Sequence, residues 1–307
     1  MIPISRPARF RRTRVLIVGC GDVGLRALPG LRHTVVRALT SSPERAPALR
    51  ARGVTPLVGN LDDAASLGRL AGLATRVLHL APPPGQGRTD PRTARLLAAL
   101  ARRGAVDTLV YGSTSGVYGD AGGALFDETR AVNPTTDRAH RRVDAEARVR
   151  WWGRRMALLA GTRACTLRIP GIYALDREGG DPRDRIRRGA PLLAAPDDVY
   201  TNHIHADDLA RACVAALWRA RPGRVLHVCD DTHLAMGDYF DLVADGFGLA
   251  RLPRLPREAV QAAVSPMQWS FMSESRRLVN ARMKHELRLV LRHPTIEQGL
   301  GLASRAV

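Results

Sequence analysis

Six residues near the N-terminus carry the strongest chemical signal in the chain: Gly19-Cys20-Gly21-Asp22-Val23-Gly24. Glycines at this spacing suit a turn that binds phosphate. Gly19 permits a tight turn, Gly21 lets the backbone approach a pyrophosphate, and Gly24 lets a helix pack closely on the preceding strand. Free N–H groups at the start of that helix would face the phosphate oxygens. The apolar run Val15-Leu16-Ile17-Val18 just before it supplies the strand that this geometry requires. The spacing predicts a dinucleotide site at Gly19, Gly21, Asp22, Val23 and Gly24. The alternative is a glycine turn that only packs strand on helix.

A second group bears on which dinucleotide. Rossmann-type sites for NAD place an acid about 20 residues after the glycine turn, on the ribose 2′-OH. No Asp or Glu lies between Asp22 and Glu44 here. Thr40, Ser41, Ser42 and Arg45 stand there instead, and hydroxyls with a guanidinium suit a 2′-phosphate. NADP(H) is therefore favoured over NAD(H). Ser41-Ser42-Pro43-Glu44 also reads as a helix start. A third group, Tyr111-Gly-Ser-Thr-Ser-Gly-Val-Tyr-Gly119, ends a strand in hydroxyls: Ser113, Thr114 and Tyr118. His203 and His205 have ligand-like spacing, but no third ligand cluster accompanies them in sequence, so no metal is expected.

These groups need elements to hold them. From Arg14 onward strand-like and helix-like segments alternate. Strands are read at Val15–Val18, His33–Thr40, Val54–Val58, Arg76–Leu80, Thr108–Tyr111 and Thr166–Ile169. Helices are read at Leu25–Leu31, Pro43–Arg52, from Asp62 to Leu73, and at Pro91–Arg103. Ala139, Val143, Ala147 and Trp151 recur every four residues, the period of an amphipathic helix. The alternation predicts an α/β fold, a doubly wound parallel sheet covered on both faces. After Tyr173 the pattern loosens into a helix at Leu209–Arg219, a strand at Val225–Val228 and a helix at Tyr239–Phe247. A sheet domain over 12–172 and a small interwoven C-terminal lobe over 173–307 are expected.

Composition removes other classes. The 307 residues are 45% hydrophobic and 25% charged, an ordinary globular balance. Net charge is +18, yet the cations are almost all Arg, with Lys284 the sole lysine, and they scatter through every segment. The densest clusters are Arg9, Arg11, Arg12, Arg14 and then Arg183, Arg185, Arg187, Arg188. With 5% aromatics there is little to stack nucleobases, so a nucleic-acid partner is not expected. Cys20, Cys165, Cys213 and Cys229 form no C-x-x-C pair and read as buried thiols of a cytoplasmic protein. No apolar stretch approaches a membrane span, and the basic segment to Arg14 reads as a ragged leader.

With these motifs the chain resembles the extended short-chain dehydrogenase/reductases, the epimerase/dehydratase group. Tyr111 to Gly119 carries the likeness first. His79-Leu80-Ala81, Asp127-Glu128-Thr129, Asn133-Pro134, Leu167-Arg-Ile-Pro-Gly-Ile-Tyr173, Ile204-His-Ala-Asp-Asp-Leu-Ala210 and Ser273-Glu-Ser-Arg-Arg277 follow in order. The resemblance implies a Rossmann-type fold with a substrate lobe. It implies further cofactor contacts at Asn60, Leu61, Leu80, Ala81, Arg142 and Pro170. It also implies hydride transfer at a carbonyl or hydroxyl carbon of a small substrate; a homodimer is an option the sequence leaves open.

One departure matters. The family signature is Tyr-x-x-x-Lys with a Ser or Thr at the end of the fifth strand. Thr114 holds the latter position, with Ser113 beside it. Counted back from Glu146, Arg138 and Arg142 hold the Tyr and Lys positions, and a single lysine at 284 permits no such pair anywhere. Arg stays protonated near neutrality and transfers no proton. Arg138 would bind an anionic substrate group, Arg142 ribose hydroxyls, and Tyr118 is the one nearby phenol. The likeness is thus to the atypical members, either enzymes with other acid–base groups or non-catalytic NADP(H)-binding sensors.

Overall fold

A computed structural model describes residues 12–103 and 106–302. Arg9 and Arg11 of the basic leader lie outside the described residues, as do 303–307.

Seven strands form the central sheet: β1 (Arg14–Val18), β2 (Val35–Thr40), β3 (Thr55–Val58), β4 (Arg76–His79), β5 (Thr108–Thr114), β6 (Arg163–Ile169) and β7 (Arg224–His227). Their spatial order is β7-β6-β5-β4-β1-β2-β3. β1 pairs in parallel with both β2 and β4, with Val18 opposite Leu39 on one side and His79 on the other. Val15, Leu16 and Ile17 are wholly buried, as a strand covered on both faces must be. Strand order reverses at β1 and β4, and the carboxyl ends of such a pair are where open α/β sheets bind ligands.

Helices α1 (Asp22–Arg26), α2 (Ala46–Ala51), α3 (Pro91–Ala101), α4 (Asp137–Ala160) and α5 (Ala206–Arg219) are the principal crossovers. Two are shorter than the sequence pattern suggests. α1 stops at Arg26 and passes into a 3-10 turn, Leu28–Leu31. Pro29 has no N–H to continue the ladder. The segment read as a helix to Leu73 is a 3-10 stretch, Ala65–Leu70, because Gly68 and Gly72 weaken a helix there.

The chain divides into two compact units. Unit 1 comprises 1–113, 141–167 and 210–225; unit 2 comprises 114–140, 168–209 and 226–307. This differs from the single boundary after 172 read from the sequence. The strand read at Val225–Val228 joins the central sheet as β7, and most of the helix before it goes to unit 1. Unit 1 packs around Leu16, Val77, Leu96, Leu100, Leu109, Tyr111, Val149 and Trp152. Unit 2 has its own core, including Tyr173, Leu192, Tyr239, Val243, Val260 and Met272. Its short strands pair in parallel: Gly171–Tyr173 with His203–His205, and Leu125–Phe126 with Arg277–Leu278.

Candidate functional site

In unit 1 the turn after β1 is shaped by what its glycines exclude. Gly19 has φ +84°, and a Cβ there would lie 2.6 Å from Ala81 Cα and 2.9 Å from the Leu80 carbonyl carbon. Both Leu80 and Ala81 donate backbone hydrogen bonds to the Val18 carbonyl, at 2.8 and 2.9 Å. The loop after β4 is thereby tied to the end of β1, and only glycine fits between them. Gly24 packs on β1: a Cβ would sit 3.3 Å from Ile17 Cγ2 and from Cys20 Sγ. Gly21 is the opposite case. A Cβ there meets nothing within 4 Å, so its backbone borders open space. Asp22 and Val23 begin α1, and the Asp22 carboxylate accepts from Arg26 at 2.9 Å.

The residues after β2 gather beside this turn. Arg45 donates to the Cys20 carbonyl at 2.7 Å, which brings its guanidinium to the glycine loop from 25 positions away. Thr40 turns inward: its hydroxyl accepts from Ser42 N at 3.2 Å. Ser41 is exposed. Asn60 closes its own loop by accepting from Asp62 N at 2.9 Å, and Leu61 is buried.

At the end of β5, alternation of the strand turns Tyr111 and Ser113 to one face. Ser113 donates to Glu146 Oε1 at 2.6 Å, and both residues are buried. Arg142 donates to the Gly112 carbonyl at 2.7 Å and to the Tyr111 hydroxyl at 3.1 Å. Burial outweighs this cation and pushes the Tyr111 phenol up to about 12. Arg142 therefore points to the strand end and not along an exposed face with Glu146.

Unit 2 holds a cleft of about 450 Å³. Thr114, Arg138 and Pro170 line it, with Arg177, Arg185, Arg276, Tyr200, Phe240, Phe271 and Glu274. Thr114 accepts from Gly116 N at 3.2 Å. Arg138 lies over the Phe271 ring at 5.1 Å, and Arg185 over Phe240 at 4.9 Å. Burial lowers the Arg185 guanidinium to about 10, which leaves it charged at neutral pH. Glu274 is 2.6 Å from Arg276. The lining thus carries four guanidiniums and one carboxylate, an environment for an anion. Sequence reasoning missed Phe240, Phe271 and the role of Arg185. The signal for Arg185 was present as the charged run Asp181–Gly189; for the aromatics there was none, because 240 and 271 meet only through the fold.

One sequence reading is corrected in unit 2. Tyr118 is buried, with its hydroxyl 2.6 Å from His227 Nε2 and accepting from Arg168 at 2.6 Å. Its phenol belongs to the interior and does not line the cleft. His203 and His205 face different partners: the His203 ring stacks on Tyr239 at 4.0 Å, and the His205 ring lies tilted against His293 at 3.8 Å. His205, Asp207 and His293 are what the fold brings together, with ligand atoms within 4.8 Å of one another. His205 Nδ1 already accepts from Asp207 N at 3.2 Å, so this is a capped start of α5. Asp208 accepts from Arg292 N and His293 N, at 2.9 and 2.8 Å.

All four cysteines are buried, and none of them forms a disulfide. No described helix is long and apolar enough to cross a membrane.

The profile of the NAD dependent epimerase/dehydratase family matches residues 20–229. A functionally unknown conserved protein from Silicibacter pomeroyi is 28% identical, over 96% of this chain and 100% of that one, with a TM-score of 0.74. MoeE5 in complex with UDP-glucuronic acid and NAD is 20% identical over 96% of this chain and 100% of that one, with a TM-score of 0.74; it has also been solved with UDP-glucose and NAD. The dTDP-glucose 4,6-dehydratase DesIV from Streptomyces venezuelae, with NAD bound, is 18% identical over 95% of this chain and 96% of that one, with a TM-score of 0.74. At 20% and 18% identity these last two show a common fold. No curated protein matches the chain.

Proposed function

Because this chain belongs to the NAD dependent epimerase/dehydratase family, we propose that unit 1 binds a nicotinamide dinucleotide, NADP(H) in preference to NAD(H), and that the protein is an oxidoreductase or epimerase-like enzyme acting on an anionic small molecule held in unit 2. One observation carries the cofactor reading. At Gly21 a Cβ would enter space that holds no atom within 4 Å, beside a Gly19 that admits no side chain at all. Packing alone requires Gly19 and Gly24; it does not require Gly21, whereas a pyrophosphate lying on the backbone does. The donors fit as well: Arg45 is held at the glycine loop through Cys20, and no acid lies between Asp22 and Glu44 to repel a 2′-phosphate.

Sugar nucleotides, the ligands of MoeE5 in its solved complexes, are the substrate class this reading favours. The guanidiniums of the cleft would neutralise their phosphates. A bound nicotinamide supplies or accepts hydride at the reacting carbon. The chain's own part is to hold the substrate. Thr114 Oγ1 accepts from Gly116 N and keeps its own hydrogen to donate to the substrate oxygen. Arg142, committed to Gly112 and Tyr111, fixes the strand end and is placed for ribose hydroxyls. Neither arginine moves a proton.

The test is a melting series. Ligand at 100 times its dissociation constant stabilises by about 2.7 kcal/mol, so NADPH should raise Tm and NADH should do so less at equal concentration. No shift with either at millimolar levels overturns the reading. The absence of the Tyr/Lys pair favours the sensor alternative. It predicts the same shift with no turnover across sugar nucleotides, aldehydes and ketones.

A further inference from the structure

We propose that the end of unit 1 opposite the glycine turn is a docking surface for a bilayer that contains anionic phospholipid. The proposal stands apart from the cofactor and substrate readings, because it uses none of their residues.

The fold collects charge that the sequence spreads out. In a parallel sheet each helix runs back against the strands, so helix carboxyl ends and strand amino ends meet at one edge. The glycine turn lies at the other edge, after β1. The connections that lead back into the strands carry exposed arginines: Arg32 before β2, Arg52 before β3, Arg102 and Arg103 before β5, and Arg221 before β7. Asp107 is the one acid among the described residues of these connections. Cations near helix carboxyl ends offset the helix dipoles, which accounts for part of this excess. It does not account for the apolar groups beside them.

Helix α4 ends at this edge. From Ala147 to Arg163 the chain has five arginines and no acid. Val149, Trp152 and Met156 turn one face of the helix into the core. The other face carries Trp151, Arg154, Arg155, Leu158 and Leu159. Leu158 is 90% exposed, Leu159 70% and Trp151 64%. The Arg155 guanidinium lies over the Trp151 ring at 5.8 Å. Core packing does not ask for leucine at 158 and 159, and both side chains stay in water at a cost that burial would remove. Exposed leucines flanked by Trp and Arg suit a membrane interface. The aliphatic chains enter the acyl boundary, the indole sits among the headgroups, and the guanidiniums meet lipid phosphates.

Charge complementarity selects the occupant. A second copy seated here would set five arginines against five with no acid in either segment. Nucleic acid would satisfy the cations and leave Leu158 and Leu159 in water. An anionic bilayer satisfies both.

Flotation of the full chain on a density gradient provides the test, with vesicles of phosphatidylcholine alone and of phosphatidylcholine mixed with phosphatidylglycerol. Wild type should rise with the mixed vesicles and not with the neutral ones, and added salt should weaken the binding. Arg154→Gln should weaken it roughly fivefold, the share of one guanidinium near an anionic surface. Arg88→Gln, exposed in the loop after β4 at the opposite edge, should change it little. Leu158→Gln combined with Leu159→Gln should weaken it about tenfold or more. The urea midpoint of that variant should stay unchanged, because both side chains are exposed. Absence of flotation with the mixed vesicles overturns the proposal. Equal losses in Arg154→Gln and Arg88→Gln also overturn it, since they mark attraction to net charge alone. A DNA duplex that displaces the vesicles, and binds the leucine variant as well as wild type, would assign the arginines to nucleic acid instead. A dimer in sedimentation velocity that the leucine variant abolishes would give this face to a second copy, which overturns the proposal as well.

Discussion

Ser113 at the end of β5 donates a 2.6 Å hydrogen bond to the buried carboxylate of Glu146, one helical turn beyond Arg142, which grips Gly112 and Tyr111. Helix α4 therefore holds three consecutive residues of the strand end with two side chains, four residues apart. At the position read for the signature's Lys this chain has Arg142, which with Glu146 forms a positioning clamp. Ser113→Ala removes one partner of a buried carboxylate, at a cost of about 1–3 kcal/mol. Urea unfolding should show a lower midpoint at unchanged slope. A double cycle with Glu146→Gln should give a coupling of at least about 0.5 kcal/mol; additivity would mean the bond contributes nothing.

The glycines make a paired prediction. Gly19→Ala must destabilise the fold, because its Cβ meets the Ala81 backbone and its φ is +84°. Gly21→Asp should leave stability without ligand nearly unchanged, since nothing lies within 4 Å, yet abolish the Tm shift with NADPH. A Gly21→Asp protein that still responds to NADPH would place the phosphates elsewhere.

Arg45 separates the two cofactors. Its bond to the Cys20 carbonyl brings a cation to the glycine loop. Arg45→Gln should weaken NADPH by about tenfold and NADH by much less, since a phosphate contact contributes about 1.5–3 kcal/mol. Titrations giving equal losses would show that Arg45 does not read the 2′ position.

Much of unit 1 was legible from the sequence because its signals are local. Val15–Val18 and Gly19–Gly24 declare a strand and a turn within ten residues. Helix lengths were less legible: Pro29 and Gly68 shorten what apolar spacing suggests. The cleft was hardest, because Arg138, Arg185, Phe240, Phe271 and Glu274 come from distant segments. Tyr118 misled for the same reason. Its neighbours Arg168 and His227 lie 50 and 109 positions away, and nothing in Gly-Val-Tyr-Gly tells a buried phenol from a site phenol.

A buried acid sets a pH dependence. Asp230 is buried, and its carboxyl accepts from Thr232 N at 3.0 Å. Burial pushes this group from 3.8 up to about 8. The folded chain thus keeps a proton that the unfolded chain releases near 3.8. Its contribution to stability is present below that value and is lost as pH rises to about 8. Asp230→Asn stays neutral at nearly the same shape. Its urea midpoint should overtake wild type between about pH 5 and about pH 9. Parallel curves would show that Asp230 is ionised throughout.

Thr114 has two tasks, and substitution can separate them. Its oxygen accepts from Gly116 N and caps the 3-10 turn Ser115–Tyr118, while the residue lines the cleft. Thr114→Val keeps the shape and loses both tasks. It should cost about 1 kcal/mol of stability, the usual loss of a cap, and lower turnover by roughly 10²–10³, the loss of one donor to developing charge. Thr114→Ser keeps the hydroxyl and should retain most of both. NADPH binding should be little changed in either variant, because Thr114 is not among the groups assigned to the cofactor. If Thr114→Val loses stability but keeps turnover, the residue is a cap alone and substrate positioning must come from elsewhere in the cleft.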